Sequence, residues 1–121
     1  SQLSGKVCGG NIRCTLKLAG TPWQPDPTGR VLFLESYSGS LARMETMLHQ
    51  YRQMGMFSRC SGVLLGNFSE LAKQQLPELY RIVQDIIADP ALPLAVTTEL
   101  GHQPDARCLA YAEICLEKTQ L

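Results

Sequence analysis

Apolar positions along the chain follow two kinds of pattern, which predict strands and helices in turn. Runs of consecutive apolar residues between turn-forming residues predict short buried strands. Apolar residues three or four positions apart predict amphipathic helices. Strands are predicted at residues 31–35, 61–68, 92–100 and, with a weaker pattern, 107–116, and helices at residues 12–19, 41–55 and 77–88.

Strands and helices alternate along the chain, which indicates an α/β fold with a small mixed sheet flanked by helices. A chain of 121 residues is long enough for one domain with a modest core and too short for two. We therefore expect residues 1–121 to form a single domain. The methionines of the second predicted helix are expected to fill the core of the domain; they are Met44, Met47 and Met54.

The composition, with 45% apolar and 18% charged residues, is typical of a globular protein without a membrane span. Eleven bases balance eleven acids and there is no basic run, so neither nucleic acid nor a membrane is expected as a partner. The five cysteines are an odd number without a CxxC pair, which predicts free thiols in a reducing cytosol and no structural metal. No cofactor is expected.

Two ionisable residues each follow an apolar strand: Glu35 ends the strand at residues 31–35, and His102 lies in the turn after residues 92–100. The carboxyl ends of strands are where α/β proteins build their sites, and both residues share one edge if the strands are parallel. A carboxylate beside an imidazole fixes the ring tautomer and leaves the other nitrogen to accept a proton from a nucleophile. The alternative is that Glu35 is a solvated loop residue and His102 an ordinary turn residue.

No nucleophile can be assigned from the sequence. A GxSxG elbow is absent, and the serines lie in polar turns or at helix starts, where serine acts as a cap. A cysteine hydrolase that pairs His102 with Cys8 or Cys108 is one alternative. His49, the other histidine, is expected at the surface of the second predicted helix.

A second candidate site is the turn at Gly9, Gly10 and Asn11, which precedes the first predicted helix. Backbone N–H groups at a helix start can hold an anion or a carboxylate. A tight strand-to-helix turn with asparagine as the helix cap explains the same three residues without any ligand. Both interpretations stay open on the sequence.

Four stretches of the chain together resemble the LD-carboxypeptidases and the related microcin-immunity peptidases, which are serine peptidases. The resemblance covers nearly the whole chain in order and spacing. It includes a GGN turn, a segment ending in LFLE, a strand ending in G-x-F and a GH turn. The stretches are "GGNI", "LAGTPWQPDPTGRVLFLE", "ARMETMLHQYRQMGMFSRCSGVLLGNF" and "LGHQPDA".

The resemblance implies that the chain is the C-terminal domain of a two-domain enzyme, with a fold similar to a swivelling β/β/α domain. In this family an N-terminal domain carries the nucleophilic serine and the oxyanion hole. Glu35 matches the family's catalytic glutamate and His102 its catalytic histidine. The implied reaction is hydrolysis of the bond between an L-centre and a terminal D-amino acid in murein peptides, in the cytoplasm, and the isolated chain is expected to be inactive.

The GH turn departs from the family pattern at two positions. Many relatives have GHGxDS, whereas this chain has Gln103 in place of the second glycine and Ala106 in place of the serine. Gly101, His102 and Asp105 are kept, and the resemblance places Gly101, Gln103 and Asp105 beside the substrate. A side chain at Gln103 adds bulk where the site should be open, so an altered substrate or a catalytically degenerate binding domain is an alternative.

The implied partners are a murein peptide substrate and the chain's own N-terminal domain. If that domain normally covers one face, apolar side chains should be exposed here. Trp23, Phe57 and Tyr37 are the candidates, because large aromatic residues are typical of interfaces. Self-association as a homodimer is one way to hide such a patch.

Overall fold

The computed structural model describes residues 2–101 and 113–117, and they form a five-stranded sheet with helices. The strand order is β4-β3-β2-β1-β5, in which β1 to β4 are parallel and β5 runs antiparallel to β1. This confirms the predicted α/β class with a mixed sheet. The elements are β1 (Gln2–Asn11), α1 (Ile12–Leu16), β2 (Val31–Ser36), α2 (Leu41–Gln53), α3 (Met56–Arg59), β3 (Gly62–Phe68), a 3-10 turn (Lys73–Gln75), α4 (Leu76–Ile87), β4 (Leu94–Val96) and β5 (Glu113–Glu117).

The strand β1 is the element that the hydrophobic pattern did not predict. Its ten residues include three glycines, and glycine is depleted in strands because it has no side chain to pack. Tertiary pairing forms the strand instead: its second half pairs with β2 from Val7 opposite Val31 to Asn11 opposite Glu35, and its first half pairs with β5. A segment with a weak local pattern therefore forms a strand inside the sheet.

The main core lies between one face of the sheet and the helices. It contains Leu32 and Leu34 from β2, Met44 and Leu48 from α2, and Val83 from α4, all of them fully buried. Among the described residues, every helix places its buried apolar side chains in this cluster. The described helices thus flank one face of the sheet.

The aromatic and sulfur-containing side chains of α2 and α3 pack in this core. Met44 and Met47 are buried in this cluster and the partly buried Met54 packs against it, which confirms the predicted role of the methionines. The hydroxyl of buried Tyr51 donates a hydrogen bond of 2.8 Å to the carbonyl of Ile12 and so ties α2 to the start of α1. Phe57 is only 6% exposed, so its prediction as part of an exposed patch was wrong: α3 turns its ring inward, 6.3 Å from the ring of Tyr51.

The opposite face of the sheet carries a second, smaller buried cluster. Its members are strand residues, and Leu100 packs against them from the segment after β4. Since side chains alternate along a strand, Glu35 continues the face of Val31 and Phe33. The members of the cluster are Leu3, Val7, Val31, Phe33, Leu64 and Ala95.

The other boundaries differ from the predictions in ways that the backbone explains. The helix predicted at residues 12–19 ends at Leu16 and continues as turns up to Gly20, which has a φ of 77°. The strand predicted at residues 92–100 pairs only at Leu94–Val96, because the following residues leave the sheet and cross the end of β3. Of the strand predicted at residues 107–116, the structure describes the part in β5.

Candidate functional site at the carboxyl end of the sheet

Glu35 lies at the carboxyl end of β2, near the middle of the sheet, and it is only 7% exposed. A carboxyl group this buried loses most of its hydration, a cost that proteins accept where hydrogen bonds or a functional partner compensate. The interpretation of Glu35 as a solvated loop residue is therefore wrong. The prediction that it ends a buried strand is confirmed.

A β-bulge lies directly opposite Glu35 in β3. Leu34 pairs with Leu65 and Ser36 pairs with Phe68, so Gly66 and Asn67 together face the single residue Glu35. Bulges of this kind bend a strand and change the direction of nearby side chains, and they are frequent beside active sites. The "GNF" at the end of β3 is thus part of the local geometry around the carboxylate.

The bulge also fixes the segment that follows β4. The backbone N–H of Asn67 donates to the carbonyl of Leu100 at 2.8 Å, and the side-chain amide of Asn67 donates to the carbonyl of Thr98 at 2.9 Å. Gly66 leaves the necessary space: a Cβ on it would lie 2.7 Å from the Leu100 oxygen and 2.9 Å from the ring of Phe33. Leu100 and Gly101 are therefore held over the carboxyl end of β3, on the face to which Glu35 belongs.

Sequence reasoning did not identify Gly66 and Asn67 as site residues. The signal for them was available, because a glycine inside a strand pattern indicates a bulge or the close approach of another backbone segment. Which segment approaches depends on the parallel β3–β4 pairing, and that pairing joins residues about 30 positions apart. The sequence alone does not specify it.

The loop after Glu35 is held by polar contacts on the same edge. The Ser36 hydroxyl donates to the Ser38 carbonyl at 2.7 Å, and the Ser36 carbonyl accepts from the Ser69 N–H at 2.9 Å. The Gly39 N–H donates to the carboxylate of Glu70. These bonds join the exit of β2 to the exit of β3, so the backbone on both sides of the bulge is fixed.

Gly9, Gly10 and Asn11 are the last three residues of β1 and pair with β2, so they do not form the predicted turn, whereas Asn11 caps α1 as the capping interpretation predicted. The Asn11 side-chain oxygen accepts hydrogen bonds from the N–H groups of Arg13 (3.1 Å) and Cys14 (3.0 Å). Gly9 has a φ of 100°, and a Cβ on it would lie 2.4 Å from the Phe33 carbonyl oxygen. The asparagine cap and the close approach of two strands explain these residue types.

This end of β1 lines an open cleft of about 610 Å³ beside α1. Gly9, Gly10 and Asn11 contribute to its lining, together with the basic side chains of Lys6 and Arg30. Asn11 is also the register partner of Glu35, but Glu35 itself does not line the cleft. A ligand-binding role for these three residues stays a prediction.

The structure argues against Cys8 as a nucleophile. Cys8 and Cys60 are buried, and burial raises the pKa of the Cys8 thiol from 9.0 to about 11 and also raises the pKa of Cys60. A nucleophilic cysteine needs the opposite change, since the thiolate is the reactive form. Cys14 is exposed, and the side chain of Cys108 lies outside the described residues.

Thiol mapping checks this order of reactivity. At pH 8, we expect a thiol-reactive probe to label Cys14 about tenfold or more faster than Cys8 and Cys60, because the raised pKa of each buried thiol leaves few thiolates and burial blocks access. Peptide mass spectrometry assigns each label, and the unfolded chain in denaturant, where the cysteines should react alike, is the control. Labelling of Cys8 as fast as Cys14 in the folded chain would revive the cysteine-hydrolase alternative.

Two of the three aromatic residues predicted to be exposed do lie at the surface. Trp23 is 77% exposed on the loop between α1 and β2, and Tyr37 is 60% exposed two residues after Glu35. His49 is exposed on α2, as predicted. Tyr37 therefore marks the surface next to the candidate site.

The predicted site residues His102, Gln103 and Asp105 lie outside the described residues, and Gly101 is the last residue described before them. Gly101 has a φ of 149°, in the region that favours glycine. Within residues 2–101 and 113–117, no three side chains are grouped as metal ligands. No helix in that part of the chain is long and apolar enough to cross a membrane.

The fold and the site together define the class of protein: an α/β domain with a buried carboxylate at the carboxyl edge of a parallel sheet. Residues 4–115 match the family model of the LD-carboxypeptidase C-terminal domain. The chain belongs to this family, and the resemblance found in its sequence is confirmed. The similarity covers nearly the whole chain.

The relatives of this chain are carboxypeptidases and a microcin-immunity protein. A putative carboxypeptidase of Synechocystis, slr1534, is 31% identical over 101 residues, which are 81% of this chain and 34% of that protein. A muramoyltetrapeptide carboxypeptidase structure from Oxalobacter formigenes has a TM-score of 0.71 at 26% identity and covers 96% of this chain and 40% of its own.

A structure of the microcin C7 self-immunity protein MccF, a protein of Escherichia coli, has a TM-score of 0.74 at 19% identity. It covers 95% of this chain and 33% of its own and so supports the fold. This chain spans about one third of the length of the curated relatives that it matches.

Proposed function

We propose that this chain is the glutamate- and histidine-bearing domain of a cytoplasmic two-domain serine carboxypeptidase that cleaves L,D-peptide bonds of murein peptides. The observation that carries the proposal is the burial of Glu35 at the carboxyl end of β2, opposite the bulge that holds Leu100 and Gly101. His102 is the next residue of the chain. A relative named muramoyltetrapeptide carboxypeptidase supports the substrate class.

In the proposed mechanism, His102 acts as the general base and Glu35 as the acid that orients it. The Glu35 carboxylate accepts the hydrogen bond from one ring N–H of His102, which fixes the tautomer and stabilises the imidazolium that forms. The other ring nitrogen takes the proton from the serine hydroxyl during attack on the scissile carbonyl, and later gives a proton to the leaving amine.

The rest of the enzyme would come from an N-terminal domain that supplies the serine and the oxyanion hole. This chain spans about one third of its relatives, which leaves the length for such a domain. The exposed Tyr37, two residues after Glu35, and the cleft that Asn11 lines offer surfaces on which that domain and the peptide could bind. Without the serine, this chain by itself should be inactive.

The test is release of the terminal D-alanine from murein tetrapeptide by the full-length protein. The matched control substrate has L-alanine at the same position, and the matched control protein is the 121-residue chain alone. We expect release from the L,D-peptide only, and only by the full-length protein. No release from any L,D-peptide by the folded full-length protein would reject the peptidase and favour a binding domain altered at Gln103 and Ala106.

A further inference from the structure

The side chain of Asn67 has no role in the mechanism above, although it is fixed by a specific contact. Its amide nitrogen donates to the Thr98 carbonyl at 2.9 Å across 31 residues of sequence, and its backbone N–H donates to the Leu100 carbonyl at 2.8 Å. One residue thus holds the segment after β4 at two points. Asparagine suits this position because its side chain can act as a donor while its backbone donates as well.

The position of Asn67 relates this segment to the carboxylate. Asn67 belongs to the bulge opposite Glu35, and adjacent strands lie about 4.8 Å apart. The hydrogen bond from Asn67 therefore brings the Leu100 carbonyl to within about 10 Å of the Glu35 backbone, by adding one bond length to that spacing. A glutamate and a histidine side chain together span such a distance.

The missing side chain of Gly66 supports the same geometry. Where a Cβ would stand on Gly66, the Leu100 oxygen lies 2.7 Å away and a Phe33 ring carbon 2.9 Å away. The segment therefore rests directly on the bulge, on the face of the sheet that Phe33 and Glu35 share. Thr97 extends the contact, since its N–H donates to the Leu65 carbonyl at 2.8 Å.

We propose that Asn67 is a positioning residue for the peptidase: its amide clamps residues 97–101 on the β3 bulge, so that the chain enters position 102 at the distance from which His102 pairs with Glu35. The inference rests on the proposed function, because it needs that pair. Asn67 does not touch the substrate or the reacting atoms. Its effect passes through the orientation of the imidazole.

The tautomer of His102 is the readout that a merely structural role would not change. The chain has two histidines, and the exposed His49 on α2 serves as an internal reference for a solvated ring. The hydrogen-bond partner of the ring decides which of its two nitrogens carries the proton. Nitrogen-15 chemical shifts distinguish the two tautomers. In the neutral form of the ring, we expect a single tautomer for His102 in the parent chain.

Three variants of the 121-residue chain separate the possibilities. Asn67→Ala removes the donor to Thr98, and Glu35→Gln removes the proposed acceptor of the ring N–H. Gln75→Ala is the matched control, because it also removes one side-chain hydrogen bond to the backbone, from the Ala72 N–H at 3.0 Å, away from the site. Circular dichroism confirms that each variant is folded before the spectra are compared.

We expect one His102 tautomer in the parent and in Gln75→Ala, and a mixture like that of His49 in Asn67→Ala and Glu35→Gln. In the full-length protein, Asn67→Ala should lower kcat about tenfold or more with little change in KM. If Glu35→Gln changes the tautomer and Asn67→Ala does not, the clamp is wrong while the proposed pair stands. If the parent already shows the mixture, the Glu35–His102 pair itself is rejected.

Discussion

Replacing Glu35 by glutamine in the full-length protein is expected to lower kcat for L,D-peptide hydrolysis by about 10³–10⁴-fold, with little change in KM. Glutamine keeps the size of the side chain but offers an amide where the imidazole needs an acceptor. The ring would then favour the wrong tautomer, which in the analogous serine-protease triad costs about 10⁴ in kcat. Because substrate binding does not depend on the tautomer, KM should stay near the parent value.

The controls separate the loss of chemistry from a loss of folding. Glu45→Gln makes the same exchange of acid for amide on the exposed face of α2 and should keep parent activity. Thermal unfolding should show Glu35→Gln as folded, since glutamine is close in size to the buried glutamate. A Glu35→Gln enzyme that retains more than about a tenth of parent kcat would remove Glu35 from the mechanism.

His102 provides the second half of this test. His102→Gln should lower kcat by at least as much as Glu35→Gln, because it removes the base itself. The double variant should be no worse than His102→Gln, since residues that act as a unit give strongly non-additive losses. Additive losses would mean that the two residues act in separate steps.

The sequence predicted the elements whose pattern is local. The apolar run before Glu35 and the amphipathic α2 and α4 carry their own periodicity, and each was found within a few residues. The strand β1 was missed because its glycines weaken every local signal, while its stability comes from pairing with β2 and β5. Pairing between segments that are distant in sequence cannot be recognised from the local pattern of apolar residues.

The candidate site divides in the same way. Glu35 was recognisable because it ends an apolar strand, and the carboxyl ends of strands are where α/β proteins build their sites. Gly66 and Asn67 gain their importance only from the return of residues 97–101 onto β3, a contact of tertiary structure. Phe57 was misplaced for a related reason, since the direction of the short α3 depends on the packing of Tyr51 beneath it.

Gly9→Ala is expected to be among the most destabilising substitutions in the chain, by about 2–6 kcal/mol. Two separate effects add at this position. Alanine would adopt a φ near 100°, a strained conformation that costs on the order of 1–3 kcal/mol. Its Cβ would also lie 2.4 Å from the Phe33 carbonyl oxygen, so β1 and β2 would have to separate, at a further cost of about 1–3 kcal/mol.

Gly29→Ala is the matched control, because it isolates the first effect. Gly29 also has a positive φ, 67°, but nothing lies within 4 Å of its Cβ position, so alanine there should cost only about 1–2 kcal/mol. In urea, with a slope of about 1.5 kcal/mol per M, Gly9→Ala should lower the midpoint by about 1.3–4 M and Gly29→Ala by about 1 M. Equal shifts would mean that the backbone at Phe33 yields to the new methyl group, and the close β1–β2 approach beside Glu35 would then not be a rigid part of the site.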